Sequence, residues 1–303
     1  MVVQRIGGVS LADLRLPPGK QARLASMLFD HGPGHGVLLV LPVDQGLEHG
    51  PIDFLPNPDS ADPDFQIRLA LEGGYSAIAF HYGIAARYVA PIAGKIPLIL
   101  KINGKTNIPS DEQAFSSLTA TVEDGVRLGA DAIGYTLFVG SPRQDEDFRQ
   151  LMEVRRECDR YGMPLVIWAY PRGEAVEAKG GRDSLFAIEY AARVALELGA
   201  DVIKLNVPAF DLPARGRSPK PYDQLVLEYH DAVARVVRAA GRALVLFSGG
   251  SRISDDDLLT KARRVMEAGA TGLIFGRNVW QRPMPEALRL TVQIKAIMLE
   301  IKR

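Results

Sequence analysis

Apolar residues gather along this chain in eight short runs. They are Val37–Val43, Tyr75–Phe80, Pro97–Ile102, Ala132–Val139, Pro164–Tyr170, Val202–Val207, Ala243–Phe247 and Gly272–Phe275. Each is rich in β-branched side chains and apolar on both faces, which predicts buried parallel strands rather than half-exposed ones. The runs recur about every 34 residues, enough for a strand, a crossover helix and their loops. The stretches between them carry a helical period. Leu185, Ile188, Ala192, Leu196 and Gly199 share one face, and Leu258, Ala262, Val265 and Gly269 share another. Asp183 and Ser254 are the predicted N-caps, with Ser254-x-x-Asp257 as a capping-box pattern.

An internal echo supports the repeat. Gly129-Ala-Asp-Ala-Ile133 returns as Gly199-Ala-Asp-Val-Ile203 and again as Gly269-Ala-Thr-Gly-Leu273, at spacings of 70 residues, or two units. A looser copy is Gly74-Tyr-Ser-Ala-Ile78. Each reads as a helix ending on a left-handed glycine, a short turn and a buried strand. Eight such units without a composition break predict an α/β chain folded as a closed (β/α)8 TIM barrel. An open doubly wound sheet would advertise a G-x-G-x-x-G turn after its first strand, and here that strand runs into Pro42-Val-Asp-Gln-Gly46. Residues 1–35 are expected to form an N-terminal arm and short helix on the barrel floor, with 36–303 as the barrel and 1–303 as a single domain.

Length and composition narrow the classes. The 303 residues would admit two domains on length alone, but α/β barrels of this size are single units. Lys and Arg total 36 against 36 Asp and Glu, a formal net charge of zero. That excludes a strongly basic nucleic-acid binder and a polybasic membrane binder, so neither partner is expected. No apolar run approaches the roughly 18 residues that would span a bilayer. Arg5, Asp13 and Arg15 interrupt the first residues, so no secretory signal is expected there. Cys158, the only cysteine, excludes an intrachain disulfide and a multi-cysteine metal site. A cytoplasmic protein is the expectation.

In such a barrel the chemistry lies at the carboxyl ends of the strands. The sharpest residue there is Lys204, flanked by Ile203 and Leu205 in the sixth run. Pointing inward with Val202 and Asn206, it would be partly desolvated and its pKa would fall. A neutral amine of this kind attacks a ketone to form a Schiff base. The other reading is a lysine that snorkels to the rim or pairs with Asp44. Lys101, placed similarly on the third strand, would depress the pKa by repulsion, with Asp44 balancing the remaining charge; alone it reads equally as an ion-pair partner. Trp168 and Tyr170 share a face of the fifth strand. Tyr170 would relay protons, or both are aromatic packing.

The seventh and eighth strands end in Ser248-Gly249-Gly250-Ser251 and Gly276-Arg277-Asn278. With a helix N-terminus at Ser254 and the fork of Arg277, these small polar turns would cradle a phosphate dianion. The loop after the fifth strand carries Arg172, Lys179 and Arg182 between glycines, and reads either as a second phosphate site or as a solvated basic loop. Tyr135 and Thr136 are the polar residues of the fourth strand. A catalytic metal is the rival chemistry. Of the five histidines only His49 and His81 fall near the mouth, where Glu48 or Asp44 would complete a set. No metal-binding spacing appears, so no metal or other cofactor is expected.

Taken together these segments resemble the archaeal-type class I fructose-1,6-bisphosphate aldolases. The resemblance rests on Val43-Asp-Gln-Gly-Leu-Glu-His-Gly-Pro51, Leu100-Lys-Ile-Asn-Gly-Lys-Thr106, Gly134-Tyr-Thr136, Trp168-Ala-Tyr-Pro-Arg-Gly173, Val202-Ile-Lys-Leu-Asn206, Ser248-Gly249-Gly250 and Gly276-Arg277-Asn278. It covers about residues 37 to 280. It implies that Lys204 is the Schiff-base lysine, Tyr170 the acid/base tyrosine, Trp168 an active-site tryptophan and Asp44 the first-strand catalytic aspartate. Ser248, Gly249, Gly250, Gly276 and Arg277 fall on the phosphate-binding loops, with Lys101 and His49 completing the candidate binding set. It also implies a metal-independent reaction on a phosphorylated sugar and a homo-oligomer, often a decamer built from pentamers. Two departures stand out. Gln45 replaces the histidine usual after the aspartate, and Pro208–Tyr222 is longer and more basic than the usual connection. Relatives of the family act on other phosphorylated ketoses, among them an aminodeoxyheptulosonate synthase and a thiolase. A sugar-phosphate-binding barrel without turnover is the reading from a different class.

Overall fold

The computed structural model describes residues 11–209 and 215–302. Eight parallel strands close into a barrel: β1 Leu38–Pro42, β2 Ala77–His81, β3 Leu98–Lys101, β4 Ala132–Val139, β5 Leu165–Pro171, β6 Val202–Leu205, β7 Leu244–Ser248 and β8 Gly272–Ile274. Every strand falls within or beside a predicted run. Closure is carried by β1, which pairs with β2 through Val40↔Ala77 and with β8 through Leu38↔Gly272. A helix follows each strand on the outside. After α1 (Pro18–Ala25) these are α2 Pro63–Gly73, α3 Tyr82–Tyr88, α4 Val122–Arg127, α5 Gln144–Tyr161, α6 Leu185–Glu197, α7 Tyr229–Ala239, α8 Asp255–Glu267 and α9 Met284–Lys302.

The two-residue period of the strands sorts their side chains into two cores. Leu38, Val40, Ala77, Ala79, Ile99, Ala132, Val166, Trp168, Val202, Leu244, Leu246 and Ile274 fill the barrel. The alternate residues, such as Leu39, Ile78, Leu100, Ile133, Ile203 and Phe247, face the helices. Leu24, Met27 and Leu28 of α1 and the turn after it join the inner core, so the N-terminal segment closes the floor as expected. Lys20 fixes it there. Its buried ammonium lies 2.9 Å from Asp201, just before β6, and 2.8 Å from Asp159 in α5. Residues 1–10 of the expected arm lie outside the described set.

The echoed glycines do what the pattern implies. Gly129, Gly199 and Gly269 have φ of +70°, +99° and +99°, a region side chains avoid, and each turns the chain from a helix into a buried strand. Gly272 answers a different demand. A Cβ there would stand 1.9 Å from the carbonyl oxygen of Leu38, so the β1–β8 seam closes only over a bare backbone.

One of the two capping expectations needs revision. The N-cap of α6 is Ser184, which accepts from the Ala187 N–H; Asp183 instead accepts from the Asn206 amide at 3.1 Å. Ser254 does cap α8, accepting from the Asp257 N–H at 3.1 Å. That helix opens with Asp255, Asp256 and Asp257, of which Asp255 pairs with Arg282 and with Arg289 at 2.8 Å and Asp257 completes the cap. The long connection after β6 passes through residues 210–214, outside the described set. Its far end packs Tyr222 against Phe186, ring centroids 5.3 Å apart. Among the described residues no helix is long and apolar enough to cross a membrane.

Candidate active site

The carboxyl ends of the strands surround a cavity of about 500 Å³. Lys204 points into it from the interior face of β6 and is 6% exposed. Its Nζ hydrogen-bonds the Tyr170 hydroxyl and lies 4.0 Å from the centroid of that ring. Burial strips water from the ammonium and pulls the pKa from 10.5 to about 7. The Asp44 and Glu48 carboxylates oppose that fall, and the Lys101 and Arg277 cations add to it. The amine is therefore available as a nucleophile near neutral pH.

The charge beside it follows the reading in which Lys101 is an ion-pair partner and Asp44 balances it. Asp44 does not pair with Lys204. Lys101 Nζ donates to Asp44 Oδ2 at 2.9 Å and to Glu48 Oε1 at 2.6 Å, and stands 4.7 Å over the Trp168 ring. Burial alone would lower the Lys101 pKa, but the two carboxylates outweigh it and hold the ammonium charged. Burial would likewise raise Asp44, but the Lys101 charge, with His81 and Lys204 behind it, draws it down to about 2. Lys101 has no exposed surface and lies behind the cavity lining, so it is not placed to grip a phosphate as the binding set supposed. The geometry makes it the cation that keeps Asp44 ionised, and its charge adds to the fall that burial imposes on the Lys204 pKa.

Ser248, Gly249, Gly250, Gly276 and Arg277 line one side of the cavity together. Asn278, fully buried, braces the β7 turn by donating to Ser251 O at 3.0 Å and accepting from the Ile253 N–H at 2.9 Å. Ser248 Oγ donates to Asn206 Oδ1 at 2.8 Å. Lys261, from α8, lines the same side and donates to Gly249 O at 3.0 Å. It was not legible in the sequence, because a lysine on a charged helix reads as a solvated one. Asp53, also missed, accepts from His49 Nδ1 at 2.6 Å and lies 3.6 Å from Arg277, tying both to the rim.

A second cationic group lines the far side. Arg172, Lys105 and Arg182 converge on the single carboxylate of Asp111 at 3.1, 3.1 and 3.2 Å. Arg182 also meets Glu177 at 2.7 Å. Of the expected basic loop, Arg172 lines the cavity, whereas Lys179 and Arg182 are not part of the lining. Tyr135 is not at the mouth. The strand alternation turns it outward, where its hydroxyl donates to Asp147 at 2.5 Å, while Thr136 faces in. His81 lies beside Lys101 in register but below the cavity surface, and burial pulls its pKa down. His31, His35 and His230 are likewise absent from the lining. Among the described residues no three His, Cys, Asp or Glu side chains are grouped as a metal ion requires. Cys158 is wholly buried in α5 and its thiol is pushed up by that burial.

A closed parallel barrel with a desolvated, near-neutral lysine and a tyrosine at its mouth defines a lysine-dependent aldolase. Residues 38–282 match the DeoC/LacD family of aldolases. The chain is 40% identical over 248 residues to the class 1 fructose-bisphosphate aldolase of Thermoproteus tenax, covering 82% of this chain and 84% of that one. It is 33% identical over 280 residues to a 2-amino-3,7-dideoxy-D-threo-hept-6-ulosonate synthase of Halobacterium salinarum, covering 92% and 91%. An archaeal fructose-1,6-bisphosphate aldolase, solved with its catalytic lysine covalently bound to the carbinolamine intermediate of the substrate, superposes with a TM-score of 0.77 at 36% identity, over 91% of this chain and 99% of that one. The chain belongs to the DeoC/LacD aldolases, among the archaeal-type class I fructose-1,6-bisphosphate aldolases, and is a lyase.

Proposed function

We propose that the protein cleaves fructose 1,6-bisphosphate reversibly to dihydroxyacetone phosphate and glyceraldehyde 3-phosphate through an imine on Lys204. One observation carries the reading: Lys204 is buried, holds a pKa of about 7 and touches a tyrosine hydroxyl. The neutral amine adds to the C2 carbonyl. Tyr170 gives its proton to the departing hydroxyl, so water leaves and a protonated imine forms. The C3–C4 bond then breaks, its electron pair moving toward the imine to give an enamine. The Tyr170 phenolate takes the C4 hydroxyl proton as the aldehyde departs, and returns a proton to C3 before water releases the ketone. Asp44, kept ionised by Lys101, favours positive charge on the Lys204 nitrogen and so stabilises the iminium.

Ser248, Gly249, Gly250, Gly276, Arg277 and Lys261 hold the C1 phosphate, and the cations around Asp111 hold the second. Binding both ends fixes the imine against Tyr170. No metal takes part. A second reading keeps the imine and changes the ketose; the similarity to the heptulosonate synthase favours it over a barrel without turnover. Turnover assays separate them. Fructose 1,6-bisphosphate should yield both triose phosphates at a rate undiminished by EDTA, and with a higher kcat/KM than fructose 1-phosphate. No cleavage by an enzyme that still forms an imine with dihydroxyacetone phosphate would favour the other ketoses. Loss of activity in EDTA would contradict the metal-free mechanism.

A further inference from the structure

Asp183 belongs to the cavity wall, in the connection between β5 and α6. It is half-buried, and its two oxygens are used unequally. Oδ1 accepts from Asn206 Nδ2 at 3.1 Å. Oδ2 meets no donor and no cation among the described residues, and it keeps accessible surface of its own. The carboxylate is held firmly. It can only accept, so the Asn206 amide must turn its NH2 toward Asp183, and the Asn206 oxygen then takes the Ser248 hydroxyl at 2.8 Å. The backbone is fixed separately, since the Asp183 carbonyl accepts from the Ala209 N–H at 2.8 Å. A fixed carboxylate oxygen without a partner, on the wall of a substrate cavity, is free for a donor on the substrate.

Its place along the wall identifies that donor. Trp168 pairs in register with Lys204, so Asn206, two residues on, is level with Tyr170. Asp183 therefore meets the wall beside the tyrosine. On its other side is Arg172. Burial lowers the pKa of that guanidinium, and Asp111 and, more weakly, Asp183 oppose the fall. Asp183 thus lies between the group that takes the C4 hydroxyl proton and the cations that hold the far phosphate. The polar group of the ketose in that interval is the C5 hydroxyl. The phosphate itself is no partner, because a dianion and a carboxylate repel. A hydroxyl gives the carboxylate a charge-assisted hydrogen bond.

We propose that Asp183 is a specificity-determining residue whose Oδ2 accepts from the C5 hydroxyl, so that the enzyme selects aldehydes with a hydroxyl beside the carbonyl. The inference rests on the aldol reading above. It is tested by condensing dihydroxyacetone phosphate with glyceraldehyde 3-phosphate and with 3-phosphopropanal, which lacks only that hydroxyl. The quantity read is the ratio of kcat/KM for the two aldehydes. In Asp183→Leu, which has no acceptor, that ratio should fall by about ten- to hundredfold, the worth of one hydrogen bond to a charged group. Asp183→Asn keeps the shape, but its oxygen must turn to the Asn206 amide and its charge is gone, so the ratio should fall severalfold there too. A merely structural role would slow both aldehydes alike and leave the ratio in place, and the differing hydration of the two aldehydes cancels between variants. An unchanged ratio in either variant overturns this inference alone. Failure of the unmodified enzyme to condense either aldehyde overturns the aldol reading, and the inference with it.

Discussion

Lys204 and Lys101 are the same residue type and both are buried, yet their surroundings drive them apart. Lys101 has two carboxylates within 2.9 Å and stays charged; Lys204 has a phenol and sheds its proton near pH 7. Below pH 7 the Lys204 amine is protonated and cannot attack, so imine formation should fall about tenfold per pH unit on the acid side. Lys101→Met removes the opposing cation and leaves Asp44 and Glu48 to stabilise the Lys204 ammonium. The acid limb of kcat/KM should then move up by about one pH unit, with a loss of about 3–5 kcal/mol in stability from the unpaired buried charges. An acid limb that stays in place would show that Lys101 does not set the Lys204 pKa. Tyr170→Phe should lower turnover by about 10²–10⁴-fold, while the imine with dihydroxyacetone phosphate still accumulates, more slowly, with water protonating the departing hydroxyl, as steady-state assay and trapping together would reveal; near-normal turnover would remove its proton role. Lys204, Tyr170 and Asp44 were legible because they interrupt or end apolar strands. Asp53, Asp111 and Lys261 were not, because they sit on loops and a helix where a charge is the ordinary choice, and only folding brings them to the cavity. Which lysine Asp44 would pair with stayed open for a related reason. Strand order puts β1 nearer β3 than β6, and a list of residues carries no such distances.

At the scale of elements, the strands were legible almost to the residue, because a run apolar on both faces has few alternatives. The caps were less so. Asp183 and Ser184 are adjacent and both suit an N-cap, and the choice fell to tertiary contact, since Asp183 is taken by Asn206. The Ser254 cap itself was legible, with Asp257 completing it; that Asp255 of the same turn is taken up by Arg282 and Arg289 was not. Gly272 shows the reverse case, a constraint that pattern alone does not reveal. It lay in the echo as a small residue opening a strand, yet the approach of Leu38 makes it obligatory. Gly272→Ala should force β1 and β8 apart and cost at least about 4 kcal/mol, read by urea or thermal unfolding. An unchanged midpoint would mean that the seam can shift to accept a methyl group.

For the whole molecule, the balance behind a net charge of zero extends into the mouth. Lys105, Arg172, Lys204, Lys261 and Arg277 line it together with Asp44, Glu48, Asp111 and Asp183. Arg277 and Lys261 stand on one side and Lys105 and Arg172 on the other, two separate cationic groups such as a doubly phosphorylated anion requires. The eight-unit count was readable from periodicity, and the position of the mouth followed from the fold that count implies. The pairing of charges within the mouth was not, since it depends on which strands close beside which. The central claim is that Lys204 forms the imine. Its most direct test is to incubate the enzyme with dihydroxyacetone phosphate, reduce with borohydride and map the modified residue by mass spectrometry. The account predicts a single reduced adduct on Lys204, absent from Lys204→Met. No adduct, or an adduct on another lysine, would contradict it.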